Sequence, residues 1–212
     1  MEHEFWHKRW QTNDIGFHEE GGNRLLKQYC EACKLEAGST ILVPFCGKTQ
    51  DIAWLISQGF KVIGIEINEQ AVQQLFNESG YMPQIQSTDE LTRYYVSDLT
   101  VYVGDFFVAT QADIGPVDMI YDRGALVALP PPMREKYAQH LLSLAPKVQQ
   151  FTVCYQYDQD LFKGPPFNVS EHDIFTYYGE THYINRLYKG HIEGGFRGEA
   201  EVFEAVYRLT PR

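Results

Sequence analysis

Between residues 40 and 155, the chain alternates short, β-branched apolar runs with segments of helical periodicity, and this alternation constrains the fold most strongly. The apolar runs lie at 40–45, 61–66, 99–103, 117–121 and 150–155, and helices are predicted at 51–58, 69–76 and 132–145. Continuous apolar runs are typical of strands buried on both faces of a parallel sheet. Because parallel neighbours need helical crossovers, the sequence predicts an α/β, doubly wound, Rossmann-like sheet.

The rest of the chain is predicted to complete a single domain, 1–212, since this length suits one core. A helix is predicted at 24–35, ahead of the first strand. Strands predicted at 181–188 and 202–209 enclose a glycine-rich stretch. They are expected to form an antiparallel hairpin at the sheet edge.

Two less regular segments interrupt the alternation. Residues 77–98 are predicted to form a loop, and residues 158–180 a lid-like insertion. A short helix is predicted after Ser170, because Ser170 and Asp173 have the spacing of a capping box.

Composition and charge restrict the partners and the location. The net charge of −10 disfavours phosphate backbones, so no nucleic-acid partner is expected. No apolar run reaches the length of about 18 residues that a membrane helix requires. The first residues are acidic and aromatic, unlike a signal peptide, so we expect a cytoplasmic protein. A monomer is expected.

The cysteines and histidines predict no metal site. The wide spread of Cys30, Cys33, Cys46 and Cys154 predicts free thiols in a reducing compartment. The Cys30–Cys33 pair fits either half of a redox or zinc site or two small residues of a helix. We prefer the helix residues, because the chain has no second pair of cysteines at this spacing. The seven histidines have no metal-binding spacing.

The strongest local signal is a glycine after the first strand and an acid at the end of the second. Gly47 allows a ligand close to the backbone. Glu66 follows about 20 positions later, where an acidic residue typically binds the ribose hydroxyls of a nucleoside. The alternative is a solvated charge at the start of a helix.

Two phosphate-binding alternatives fail on the residues present. Gly47-Lys48-Thr49 matches the end of a P-loop, but Leu42 replaces the required earlier glycine. The dinucleotide fingerprint also lacks its glycines, which disfavours a pyrophosphate. A nucleoside without phosphates fits better, and S-adenosylmethionine is the obvious candidate.

Motifs along the chain resemble those of the thiopurine S-methyltransferase family, in a bacterial-type form. They run in order from residue 5: Phe5-Trp6-His7-Lys8-Arg9-Trp10 with Gly16-Phe17-His18-Glu19, Val43-Pro44-Phe45-Cys46-Gly47-Lys48, Val62-Ile63-Gly64-Ile65-Glu66, Ile120-Tyr121-Asp122-Arg123-Gly124-Ala125-Leu126 and Gly164-Pro165-Pro166-Phe167. The family usually has leucine at the position of Phe45. This departure puts the shape of the pocket in doubt and leaves the cofactor unaffected. The resemblance implies a class I S-adenosylmethionine-dependent methyltransferase fold, with S-adenosylhomocysteine as the product.

The resemblance also implies roles for individual residues. Residues 1–21 would form an aromatic flap over the cofactor, and we expect it to be ordered only with cofactor because few residues before Gly22 fit a core. The cofactor-binding residues would be Trp6, Trp10, Phe45, Gly47, Glu66, Gly104, Asp105 and Arg123. The acceptor substrate would contact Phe17, Pro165 and Arg197.

Methyl transfer from a sulfonium needs alignment and exclusion of water more than a strong base. We therefore predict that a cation, Arg123 or Arg197, stabilises the thiolate of the acceptor. The alternative for Arg123 is an ion pair with Asp122 or Asp118. Cys46 fits a packing role better than a nucleophile, because the transfer needs no covalent intermediate.

The predicted function is therefore S-methylation of aromatic and heterocyclic thiols such as thiopurines. The resemblance leaves selenium or tellurium species open as acceptors, in detoxification of selenium or tellurite. Two alternatives remain: a methyltransferase for halides or other small anions, and a non-catalytic S-adenosylmethionine sensor. A nicotinamide dehydrogenase is disfavoured because the glycines are missing.

Overall fold

The computed structural model describes residues 3–196 and 201–212. The strands are β1 Thr40–Pro44, β2 Lys61–Glu66, β3 Gln84–Ser87, β4 Thr92–Tyr95, β5 Leu99–Val103, β6 Met119–Arg123, β7 Gln149–Gln156, β8 His182–His191 and β9 Phe203–Pro211. The helices are α1 His3–Gln11, α2 Arg24–Tyr29, α3 Asp51–Ser57, α4 Glu69–Glu78, α5 Gln111–Ile114, α6 Pro131–Leu144 and α7 Glu171–Tyr178. Single 3₁₀ turns occupy Cys30–Cys33, Phe106–Val108 and Leu126–Ala128.

These strands form one sheet in the order β3-β4-β5-β2-β1-β6-β7-β9-β8. The five central strands, β5, β2, β1, β6 and β7, are parallel, which confirms the doubly wound prediction. The strand order reverses on either side of β1, and ligands of such sheets bind at this switch point. The β8–β9 hairpin pairs antiparallel with β7 and forms one edge, as predicted.

The prediction of a loop at 77–98 is wrong, because β3 and β4 lie there and pair antiparallel beside β5. All four residues of β3 are exposed, so no apolar alternation marks it. In β4 only Tyr94 is buried. These strands depend on pairing with the finished sheet rather than on a local pattern.

Smaller corrections concern element ends. The helix predicted at 24–35 is α2 only as far as Tyr29, and the chain then tightens into the 3₁₀ turn that Lys34 ends in a left-handed conformation. The strand predicted at 117–121 begins at Met119, because pairing with β1 and β7 starts at this residue. Pairing with β7 continues to Arg123, so that this residue ends the strand.

The core lies on both faces of the sheet. Leu42 of β1 packs into one buried apolar cluster, and its neighbours Ile41 and Val43 pack into the other. The lid-like insertion contributes Ile174 and Tyr178 of α7, and Ser170 and Asp173 form the predicted capping box at the start of that helix. Within 3–196 and 201–212, no helix is long and apolar enough to cross a membrane.

Candidate active site

A cavity of about 420 Å³ opens at the carboxyl ends of the parallel strands, beneath α1. This volume lies in the range of about 300–1,000 Å³ that is typical of small-molecule sites. The cavity brings together ten of the eleven residues predicted from the sequence: Trp6, Trp10, Phe17, Phe45, Gly47, Glu66, Gly104, Asp105, Arg123 and Pro165. The eleventh, Arg197, lies outside the described residues.

Glu66 ends β2 with its carboxylate held from two sides. The Gly47 N–H donates to Oε2 at 2.8 Å and the Asn68 N–H donates to Oε1 at 2.9 Å. The residue is only 5% exposed, so the alternative of a solvated charge is wrong. Burial raises the pKa of Glu66, and the N–H groups of Asn68 and Gly47 oppose that effect.

The loop after β1 is shaped by backbone conformation. Phe45 and Gly47 both have positive φ, +49° and +51°. A Cβ on Gly47 would lie 2.9 Å from the Trp10 ring, so the loop needs glycine there to seat α1. Cys46 packs against Gly64, where a Cβ would lie 2.7 Å from its Sγ. Burial keeps the pKa of the Cys46 thiol well above its usual value, which agrees with a packing role.

A second glycine turn follows β5. The Gly104 N–H donates to the Glu66 carbonyl at 2.9 Å, and its φ of +149° is open mainly to glycine. A Cβ there would lie 2.6 Å from Leu91 and 2.9 Å from the Glu90 carbonyl. The Asp105 carboxylate then accepts from the Phe107 N–H at 2.9 Å and starts a 3₁₀ turn.

Arg123 occupies the end of β6 with its side chain 11% exposed. Its Nη1 donates to the Phe17 carbonyl at 2.9 Å, and its Nη2 donates to the Glu19 carboxylate. Burial alone would lower the pKa of Arg123, but the neighbouring oxygens of Tyr155 and Glu19 together raise it. The guanidinium is therefore charged at any working pH.

The alternative ion pairs for Arg123 are wrong. Asp118 bonds to the backbone of Thr40 instead, at 2.7 Å. Asp122 accepts from the Tyr137 hydroxyl at 2.8 Å and from the Leu126 N–H at 3.1 Å. Burial raises the pKa of Asp122 to about 6, although these two hydrogen bonds act to lower it.

Aromatic rings cover the cavity. The Phe17 ring meets Trp6 and Trp10 edge to face, with ring centroids 5.6 and 5.5 Å apart. Trp10 is 4% exposed, the only buried residue of α1. Pro165 lies in the lid, where the peptide bonds before Pro165 and Pro166 are both cis.

Sequence reasoning missed several residues of the cavity, namely His18, Glu19, Tyr155, Phe162 and Phe196. Tyr155 lies near the end of β7, beside the Arg123 guanidinium. Burial raises the pKa of Tyr155, and the positive charge of Arg123 partly offsets that rise. Its place at a strand end could have indicated it. Glu19 carries no such signal, since its partner Arg123 lies 104 positions away.

No group of acidic, histidine or cysteine side chains in the described ranges could hold a metal ion. Cys30 and Cys33 are buried free thiols in the 3₁₀ turn. Burial raises their pKa values to about 11 and about 12. Neither is therefore the reactive thiolate that redox chemistry requires.

Comparison with known sequences fixes the family. A model of the family Thiopurine S-methyltransferase (TPMT) matches residues 1–212. The chain is 42% identical over 210 residues to a thiopurine S-methyltransferase of Xanthobacter autotrophicus, with 99% of each chain covered. It is 40% identical over 215 residues to one of Pseudomonas aeruginosa, again with 99% of each covered.

The chain belongs to the thiopurine S-methyltransferase family.

Solved structures agree on the fold. An S-adenosylmethionine-dependent methyltransferase from Anabaena variabilis has a TM-score of 0.65 at 12% identity, covering 99% of this chain and 95% of its own. Magnesium protoporphyrin IX methyltransferase from Synechocystis, solved with S-adenosylhomocysteine, has a TM-score of 0.63 at 16% identity, with 96% and 98% covered. This thiopurine S-methyltransferase family member thus has the class I fold and is an S-adenosylmethionine-dependent methyltransferase.

Proposed function

We propose that this protein methylates the sulfur of aromatic and heterocyclic thiols such as thiopurines. The observation that supports this most is one continuous cavity that joins the buried Glu66 carboxylate to Arg123 and to the aromatic flap and lid. Such a cavity has room for a nucleoside at one end and an acceptor at the other. A cofactor sensor would need only the first.

The end of the cavity formed by β1, β2 and β5 suits the cofactor. An ionised carboxylate has about four acceptor positions. The backbone uses one on each oxygen of Glu66, which leaves others for the two ribose hydroxyls. Gly104 and Asp105 would bind the edge of the adenine. Phe45 and Gly47 would contact the part of the cofactor that lies at the end of β1. Bound S-adenosylmethionine supplies a methyl group already activated on a positively charged sulfur.

Trp6 and Trp10 would lie against the cofactor from the side of α1. The faces of aromatic rings attract cations, which suits a sulfonium. By covering the cavity, the flap would also exclude water from the reacting atoms. These rings therefore serve both affinity and protection in this proposal.

The end of the cavity formed by β6 and β7 suits the acceptor. Arg123 on β6 and Glu66 on β2 flank β1, two strand spacings apart, or roughly 10 Å. Phe17 and Pro165 would contact the ring of the acceptor on either side. Arg123 would stabilise the thiolate and hold its sulfur for in-line attack, which is the catalytic role that we assign to it. Arg197 remains a candidate for the same role.

Reduced selenium or tellurium species are a further class of acceptor for the same site. Like aryl thiolates, their anions are polarisable nucleophiles that ionise without a strong base. The cavity is large enough for them, and Arg123 would pair with their charge. If expression of the protein left the volatile selenium and tellurium of a culture unchanged, this extension would be wrong.

The deciding experiment is transfer of a labelled methyl group from S-adenosylmethionine to 6-mercaptopurine by the purified protein. The variant Glu66→Gln should lose transfer at a limiting cofactor concentration, because it removes the charge that would hold the ribose. Glu31→Gln changes the net charge equally at an exposed site and should behave as wild type.

Transfer that depends on Glu66 would support the cofactor site and thiol methylation together. A folded protein that binds S-adenosylmethionine but methylates no thiol would contradict the proposal. Halide, selenium and tellurium acceptors would then be tested, followed by a sensor role.

A further inference from the structure

The acceptor end of the cavity holds two opposite charges in direct contact. The Arg123 guanidinium donates to the Glu19 carboxylate, and both side chains line the cavity. Arg123 is 11% exposed and Glu19 34% exposed. An acceptor in this end would therefore meet a carboxylate as well as the guanidinium.

Glu19 is held in place rather than freely mobile on the surface. The Asn23 side-chain amide donates to its Oε2 at 3.0 Å. Asn23 is 1% exposed and is itself fixed, because its Oδ1 accepts from the N–H groups of Leu25 and Leu26 at the start of α2. The carboxylate is thus anchored to a helix cap, with its other oxygen towards Arg123.

The neighbouring charges do not cancel the effect of Glu19. Two arginines nearby are paired, Arg24 with Glu204 at 2.7 Å and Arg9 with Asp14 at 3.3 Å. The lysine of the cavity lining, Lys48, pairs with Glu78 at 2.6 Å. Each of these pairs is neutral in sum. The positive charge of Arg123 is therefore already balanced before an acceptor arrives.

From this arrangement we propose that Glu19 determines the charge of the acceptor. It disfavours acceptors that carry a carboxylate in addition to the thiol. The inference rests on the proposed function, because it concerns the acceptor end of the same cavity. The thiolate of the acceptor would share the positive charge of Arg123 with Glu19. A carboxylate on the same acceptor would add a second negative charge, which Glu19 would repel, because like charges placed together in a binding site oppose association.

The test compares two acceptors that differ only in charge, 4-mercaptobenzoate and its methyl ester. Their dissociation constants are measured by calorimetry on protein saturated with S-adenosylhomocysteine, and their kcat/KM values with S-adenosylmethionine. In the wild type the ester should bind more tightly. In Glu19→Gln this preference should fall about tenfold, a modest figure because Glu19 is partly exposed. Gln has the length of Glu but only one acceptor oxygen, so it keeps the hydrogen bond from Arg123 or the one from Asn23 and loses the other.

Two further variants separate charge from structure. Glu20→Gln changes an adjacent, exposed acid and should keep the wild-type preference. Glu19→Asp keeps the charge and should also keep the preference for the ester, even if overall binding weakens. A purely structural role for Glu19 would weaken acid and ester alike in Glu19→Gln.

An unchanged preference in Glu19→Gln, or an equal loss of preference in Glu20→Gln, would overturn the inference. The calorimetric ratio does not depend on turnover. If neither compound were methylated, the proposed function would fail, while the ratio of dissociation constants would still decide the role of Glu19.

Discussion

At the residue scale, Arg123 combines burial with two hydrogen-bond partners from the flap segment. Its Nη1 and Nη2 reach the Phe17 carbonyl and the Glu19 carboxylate. A guanidinium can make such forked contacts, whereas a lysine offers a single point charge. The same geometry places a fixed positive charge where we expect the sulfur of the acceptor.

We therefore expect Arg123→Lys to lower kcat for 6-mercaptopurine by roughly 100-fold, the order found when one preorganised charge-stabilising donor is lost. The dissociation constant of S-adenosylhomocysteine should change much less. Arg24→Lys, at a mostly exposed arginine, is the matched control. Full turnover in Arg123→Lys and Arg123→Ala would show that this residue does not stabilise the thiolate.

Asp122, next to Arg123, is a buried carboxyl whose pKa is raised to about 6 from 3.8 by burial. Between these values the folded state holds a proton that the unfolded state has released. This group therefore favours folding at low pH, and its contribution is lost as the pH rises towards 6. The full effect is on the order of 2–3 kcal/mol in the free energy of unfolding.

Denaturant unfolding of the wild type and Asp122→Asn at pH 4 and pH 7 measures this effect. The free energy of unfolding of the variant, relative to wild type, should be higher at pH 7 than at pH 4. Asp98→Asn, at an exposed position, should show no such change. A difference that is the same at both pH values would mean that folding does not raise the pKa of Asp122.

At the scale of elements, α1 contacts the rest of the protein through one buried ring and through two polar side chains, His3 and His7. Trp10 is its only buried residue, and it lies directly on Gly47. Contacts with Phe17 add two edge-to-face pairs. Few buried contacts allow local opening at low free-energy cost.

Bound S-adenosylhomocysteine should therefore slow amide hydrogen exchange in residues 6–17. Gly47→Ala should reduce this protection and weaken ligand binding, because the new Cβ would lie 2.9 Å from the Trp10 ring. Gly80→Ala has a similar positive φ in open space and controls for backbone strain alone. Equal protection with and without ligand would refute a flap that is ordered by the cofactor.

The elements also show where sequence reasoning succeeds. The strands predicted at 61–66 and 99–103 match β2 and β5 residue for residue, because buried parallel strands carry a continuous apolar run. Exposed β3 carries no such run and escaped prediction. In the site, residues at strand ends could be found from their position. The Glu19–Arg123 pair could not, since it joins segments distant in sequence that only the folded sheet brings together.

At the scale of the whole molecule, the cavity collects residues from the flap, five strand ends and the lid. A ligand there connects segments from near both ends of the chain. Because it binds the folded state alone, it should stabilise the whole fold.

At a concentration 100 times its dissociation constant, S-adenosylhomocysteine should add about 2.7 kcal/mol to the free energy of unfolding. For a chain of this size, that corresponds to a rise in Tm of roughly 5–10 °C. NAD at the same concentration should leave Tm unchanged, because the glycines that accommodate a pyrophosphate are missing. A comparable rise with NAD would contradict the assignment of the cofactor.

The position of α1 matters for how this protein is produced and handled. His3 lines the cavity and lies 3.6 Å from the Asp105 carboxylate, so a tag at the amino terminus is joined only two residues ahead of the cavity lining. Arg212 is exposed at the other end of the chain, where its N–H bonds to the Thr181 carbonyl in the β8–β9 hairpin region. An affinity tag or fluorescent fusion therefore belongs after Arg212. We expect ligand affinities measured with an amino-terminal tag to differ from those measured with the tag after Arg212.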